Sequence, residues 1–186
     1  MCEIKRINNQ DEFERILFVC KARSNEKGHP LLAVVHVERM RSGSRLIATD
    51  GKRLHVTEIS KRITSGDYQP TVTKDAITFD KPIADINFPN WLRVIPEQTE
   101  TVTKGTIDLT GTGIGKNPKL TAKLSVEFGS FVRKTGTVVN LRFIEDLTKT
   151  EWVIFTQKEK NKALVLKQKT DPDKTFAVIM PLNEAA

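Results

Sequence analysis

The sequence predicts an α+β fold, two helices packed on antiparallel β-sheet. Three observations carry that expectation. Helical spacing of apolar residues occurs in two short stretches, residues 10–23 and 141–149. Alternating or β-branched apolar runs fill much of the rest, punctuated by Gly, Pro, Asn and Asp. The order strand–helix–three strands occurs near both ends of the chain.

Residues 2–7 read as a short strand. Asn9 stands three places before Glu12, an Asx form of the capping box. Phe13, Ile16, Leu17 and Cys20 then follow at i, i+3, i+4 and i+7, which predicts a helix over residues 10–23. Its acids come early and its bases, Lys21 and Arg23, come late, as the helix dipole favours. After a linker ending at Gly28-His29-Pro30, residues 31–38 read as a buried strand. Residues 41–44 turn it into a hairpin spanning residues 45–59. There Asp50-Gly51 predicts a two-residue type I′ turn. That turn would set Thr49 opposite Lys52, Ala48 opposite Arg53 and Ile47 opposite Leu54, with Ile47, Leu54 and Val56 sharing a buried face.

Residues 60–98 are less regular, broken by Ser65-Gly66-Asp67 and by Pro70, Pro82 and Pro89. Residues 71–79 fit an edge strand. Residues 103–110 and 119–128 are expected as strands around a loop at 111–118, and residues 131–139 as a further strand with Gly136 at a bulge. Asn140 can cap a helix over residues 141–149, with Leu141, Ile144 and Leu147 as its stripe. Residues 151–155 and 163–169 pair as a hairpin across residues 158–162, and residues 175–181 form the last strand.

At 186 residues the chain has room for one domain or two small ones and for a real core. Lys plus Arg exceed Asp plus Glu by 30 − 23 = 7, and the pI is near 9.5. That balance favours anionic partners, nucleic acid first. Two cysteines, Cys2 and Cys20, without a CxxC pair fit a reduced, cytoplasmic protein. No apolar run approaches a membrane span, and MCEIKR has no signal-peptide core.

Several patterns imitate chemistry. Gly111 to Lys116 reads GTGIGK, but three residues rather than four separate Gly111 from Gly115, and Asn117 stands where a phosphate loop needs Ser or Thr. His36-Val37-Glu38 imitates the start of a deaminase zinc motif, yet no cysteine lies downstream. His29 and His55 are isolated, and Asp171 and Asp173 flank Pro172 in a turn. No catalytic constellation, metal site or cofactor is expected, and so no enzyme.

Three stretches, in order, resemble the bacterial sliding clamp, the beta subunit of DNA polymerase III. They are ATDGKRLH at residues 48–55, FPNWLRVIP at 88–96 and VIMPL at 178–182. The family carries an ATDGHRLA-like hairpin, an FPDYRRVLP-like segment and a VVMPMRL-like end. Lys52 replaces the usual His, Leu92 replaces the first of two arginines, and Asn183-Glu184-Ala185-Ala186 stands where the family ends in Arg-Leu. The resemblance implies a DNA-clamp-like domain with curved sheets across residues 1–186, its halves at about 1–60 and 131–183 joined by an irregular, β-rich segment 61–130. Family chains hold three such domains, and two chains ring DNA. A chain this short would need about six copies.

The resemblance also implies a function: a DNA polymerase processivity factor that binds double-stranded DNA non-specifically as a homo-oligomeric ring and docks replication proteins. In the family the three stretches meet in a pocket for short peptides, often with Gln first and an apolar pair last. Residue by residue, the match implies Thr49, Gly51, Lys52, Arg53, Leu54, Pro89, Arg93, Val94, Val178, Met180 and Pro181 here. The DNA-facing bases expected on the two helices are Arg15, Lys21, Arg23, Arg142 and Lys149, the last two offset by Glu145 and Asp146. The alternative is a clamp-derived module that binds peptides, or a clamp subunit, without encircling DNA.

Overall fold

A computed structural model describes residues 1–25, 29–84, 86–97, 101–115, 117–157 and 162–182. Gly28, Lys116, residues 158–161 of the turn expected at 158–162 and the divergent end at residues 183–186 lie outside the described residues. The architecture is α+β with antiparallel sheets, as expected, and the chain divides into two compact units, Met1–Trp91 and Leu92–Ala186.

The first unit runs β1 (Cys2–Lys5), α1 (Gln10–Lys21), a 3-10 turn (Pro30–Leu32), β2 (Val35–Met40), β3 (Gly43–Thr49), β4 (Arg53–Ile59), β5 (Gly66–Tyr68), β6 (Thr71–Val72) and β7 (Ala76–Phe79). One small sheet has the order β1-β7-β6, and β5-β2-β3-β4 forms a second. The stretch expected as one edge strand at 71–79 is split, with β6 on the edge.

The α1 cap forms as expected. Asn9 Oδ1 accepts from the Glu12 N–H at 3.0 Å, and Asn9 Nδ2 donates to Glu12 at 3.4 Å. Glu12 Oε1 also accepts from Ser60 N–H (2.7 Å), Ser60 Oγ (2.9 Å) and Lys61 N–H (3.2 Å), so a buried carboxylate ties the helix start to the end of β4. Phe13, Ile16, Phe18, Val19 and Cys20 are buried, because α1 packs on strands of both sheets. Each such fully buried Phe or Ile contributes roughly 1.5–3 kcal/mol. Burial pushes the Cys20 thiol up to about 12, which marks it as a core group.

The hairpin register differs from expectation by two places. Thr49 faces Leu54, Ala48 faces His55 and Ile47 faces Val56. The Asp50 carboxylate is the cause. Its Oδ1 accepts from the N–H groups of both Lys52 (2.9 Å) and Arg53 (3.0 Å), stabilising a wider Asx-built loop in place of a two-residue turn. A shift of two keeps side-chain parity. Ile47, Leu54 and Val56 therefore still share one face, and all three are buried.

The second unit holds β8 (Thr101–Asp108), α2 (Pro118–Thr135), α3 (Leu141–Glu145), β9 (Glu151–Gln157), β10 (Leu164–Gln168) and β11 (Thr175–Ile179), preceded by a 3-10 turn (Trp91–Val94) that spans the boundary between the units. Its strands are ordered β8-β9-β10-β11. The strands expected at 119–128 and 131–139 do not exist. One helix, α2, takes their place, so the described residues contain three α-helices rather than two. Asn117 caps α2, accepting from Lys119 N–H at 3.0 Å, and Pro118 opens it. Gly136, expected at a bulge, is its C-cap at φ 66°. Leu124 and Phe131, seven residues apart, are its buried residues. The short α3 is capped by Asn140 as expected.

The strand–helix–three-strand pattern survives in the second unit with different members: β8, α2, the short α3, then β9, β10 and β11. Strand β8 is the edge. Gly105, at φ 105°, marks an irregularity there, and Lys134 and Lys123 of α2 donate to the carbonyls of Thr106 and Thr110.

Candidate functional site

The hairpin tip is built by three side chains. Thr49 Oγ1 accepts from Gly51 N–H at 3.1 Å and donates to the Arg53 carbonyl at 2.6 Å. Asp50 gathers the next two N–H groups, as described above. Arg53 then folds back, Nε 3.1 Å from Asp50 Oδ2 and Nη2 donating to the Lys21 carbonyl at 2.6 Å. Its side chain is only 9% exposed. The expected rim cation is thus a structural clamp between the tip and the C-terminus of α1. Gly51 and Lys52 remain exposed, Thr49 is half-buried, and Leu54 is 2% exposed.

Pro89 is exposed, between the half-buried Phe88 and the buried Trp91. In the second unit Arg93 and Val94 are exposed on the 3-10 turn, Val94 at 52%. Val178, in the middle of β11, is 2% exposed. Met180 follows the end of β11 at 45%, and Pro181 is half-buried. The Leu182 N–H donates to the Val138 carbonyl at 2.9 Å, and both side chains are 52% exposed. Met180, Leu182 and Val138 are thus exposed apolar residues on two segments joined by a backbone hydrogen bond. The sequence reading took Leu182 only as part of the VIMPL stretch and passed over Val138, because the strand expected at 131–139 hid the segment after α2.

Of the bases expected to face DNA, Arg15, Arg23 and Lys149 are engaged within the chain. Arg15 lies 3.3 Å from Asp11 and donates to the Glu58 carbonyl at 3.4 Å. Arg23 donates to the carbonyls of Cys20 (3.1 Å) and Pro70 (3.5 Å). Lys21 is half-buried. Arg142 lies in α3, and Lys149 follows it, 3.8 Å from Glu145. The sequence reading missed α2, which carries Lys119, Lys123, Arg133 and Lys134 against one acid, Glu127. The signal was present: Asn117-Pro118 as a helix start and Gly136 as a stop.

Thr112 Oγ1 donates to the Leu109 carbonyl at 2.8 Å in the glycine-rich connection that leads into α2. His36 of the zinc-like pattern is bonded through Nδ1 to Asp67 at 2.7 Å.

No family model and no curated protein sequence matches this chain. Solved structures do. The DNA polymerase III beta chain of Streptococcus pneumoniae superposes with a TM-score of 0.64 at 13% identity, over 98% of this chain and 64% of that one. The beta subunit of Borrelia burgdorferi, in complex with a natural product, gives 0.62 at 11% identity over 99% and 63%. The sliding clamp of Pseudomonas aeruginosa gives 0.64 at 12% identity over 98% and 66%. The chain therefore spans less than two thirds of the length of these structures. Nearly all of it, at low identity, has the fold of the DNA polymerase III beta sliding clamps.

Proposed function

We propose that this chain is a clamp-fold docking protein of the replication machinery. In this reading residues 1–186 work in the cytoplasm as a single clamp-like domain that binds short peptides from a DNA polymerase or another replication protein. The observation that carries the reading is the exposure of Met180, Leu182 and Val138 on two segments joined by the Leu182–Val138 backbone hydrogen bond. Exposed apolar groups on adjoining segments suit an apolar peptide end, and Met accommodates varied side chains. Thr49, Gly51, Lys52, Arg53, Leu54 and Pro89 of the first unit, and Arg93, Val94, Val178 and Pro181 of the second, are the other residues proposed for the peptide. Arg53 acts here by holding the hairpin tip. Titration of a short labelled peptide, Gln first and Leu-Phe last, tests the reading. Saturable binding supports it, and no binding at any attainable concentration rejects it.

A second reading, the DNA-encircling homo-oligomeric ring, is favoured by one observation: the basic excess of α2. Lys119, Lys123, Arg133 and Lys134 then join Arg15, Lys21, Arg23, Arg142 and Lys149 as phosphate contacts. Such binding falls steeply with salt and ignores sequence. Sedimentation with duplex DNA separates the readings: a ring requires a multimer and salt-sensitive DNA binding, whereas the docking protein requires neither.

A further inference from the structure

Residues 82–84 and 86–91 run irregularly along the first unit as a strap, and four side-chain or backbone anchors hold it. Gly66 lies so close to Pro82 that a Cβ on the glycine would sit 2.7 Å from the proline ring. The Ile83 N–H donates to the Asp67 carbonyl at 2.7 Å. The Phe88 ring stacks on the His36 imidazole, 4.9 Å between centroids and 8° from parallel, and His36 is fixed from behind by its 2.7 Å bond to Asp67. Trp91 Nε1 donates to Glu38 Oε1 at 3.0 Å.

His36 and Glu38 are two apart on β2 and so project from the same face. Glu38 faces Arg45 and Arg45 faces Glu58 across the strands, giving a charged ladder with separations of 3.4 and 2.7 Å. The Arg45 guanidinium lies 5.8 Å from the Trp91 ring centroid. The ladder thus orients the carboxylate that receives the indole and lays a cation against the same ring. Between the two aromatic anchors, Pro89 and Asn90 are exposed.

We infer that His36, Asp67, Glu38 and Arg45 are positioning residues for the peptide-docking segment: by clamping Phe88 and Trp91 they hold Pro89 and the start of the Trp91–Val94 turn in a binding-ready conformation. This rests on the docking reading above. A preformed segment loses less conformational freedom when a peptide arrives, so loosening it weakens binding without removing a contact to the peptide. The occupant is the same short peptide with an apolar end.

The experiment compares Phe88→Ala, His36→Ala and the conservative Phe88→Tyr with the unaltered protein, with Trp91→Phe as a second route that keeps the ring and removes its donor. Peptide affinity is read by anisotropy of the labelled peptide, the strap by the Trp91 indole N–H resonance and its solvent exchange, and the fold by thermal unfolding. Phe88→Ala and His36→Ala should weaken peptide binding about three- to tenfold, the range expected for one aromatic pair. The indole N–H should exchange faster in both, and Phe88→Tyr should restore affinity and protection together. Trp91→Phe should weaken binding while remaining folded, which keeps the test open if Phe88→Ala does not fold. Wild-type affinity in folded Phe88→Ala and Trp91→Phe proteins would overturn the latch while leaving the docking reading intact. An unaltered protein that takes no peptide would overturn the docking reading and the latch's role with it.

Discussion

The Arg53 guanidinium donates to the main-chain carbonyl of Lys21 at 2.6 Å, joining the hairpin tip to the last turn of α1. With its Nε against Asp50, this nearly buried cation satisfies a helix-terminal carbonyl and neutralises the carboxylate that shapes the loop. Arg53→Ala should therefore lower stability by about 1–3 kcal/mol. A urea unfolding midpoint unchanged in Arg53→Ala would contradict that role.

Gly51 sits at φ 85°, and a Cβ there would meet only Leu32 at 3.9 Å. Space is open, so the backbone alone sets the cost of substitution. Gly51→Val should destabilise by roughly 1–3 kcal/mol, and Gly51→Asn by much less, since Asn tolerates positive φ. Equal melting temperatures for the two variants would remove the argument.

His55 is fully buried between β4 and α1. Its Nδ1 donates to the Phe18 carbonyl at 2.7 Å, its ring stacks on Phe18 at 4.1 Å, and Nε2 has no partner. Burial, reinforced by Arg53, lowers its pKa to about 3. The unfolded chain therefore binds the proton more readily, and folding keeps the ring neutral. The resulting contribution is fully present above about pH 6.5 and is lost as pH falls toward 3, with a slope of at most about 1.4 kcal/mol per pH unit. His55→Phe removes that slope. Parallel stability–pH curves for the variant and the unaltered protein would show that His55 does not cause it.

Gly136 closes α2 in the left-handed region. Gly136→Val should cost about 1–2 kcal/mol, because a β-branched residue is strained at positive φ. The same glycine reads as a strand bulge in the sequence and is a helix stop in the structure. An unchanged unfolding midpoint would contradict the left-handed cap.

That contrast shows where the sequence is legible. In α2, Leu120, Ala122, Leu124, Val126 and Phe128 alternate perfectly, while Leu124, Phe128 and Phe131 also fit a helical stripe. The caps decide it: Asn117-Pro118 and Gly136 terminate a helix, and Val126 is left 66% exposed on its far side. At the hairpin the buried face was legible because parity survives a shift of two. The register was not, because it turns on Asp50 taking two N–H groups at once. Of the apolar residues singled out in the resembling stretches, Met180 and Val94 stand exposed while Leu54 and Val178 are buried, a difference that packing and not local pattern decides. The anchors at His36 and Glu38 depend on a strap about fifty residues later, beyond the reach of local patterns.

The most direct test of the docking function is titration of the short labelled peptide into the unaltered protein and into Met180→Lys. Met180 is 45% exposed, so lysine can extend its ammonium into water and the fold should survive. The charge would still face the apolar end of the peptide, and its desolvation would oppose binding. The account predicts saturable binding by the unaltered protein and at least tenfold weaker binding by a Met180→Lys protein with unchanged thermal unfolding. Equal affinity in a properly folded Met180→Lys protein would contradict it.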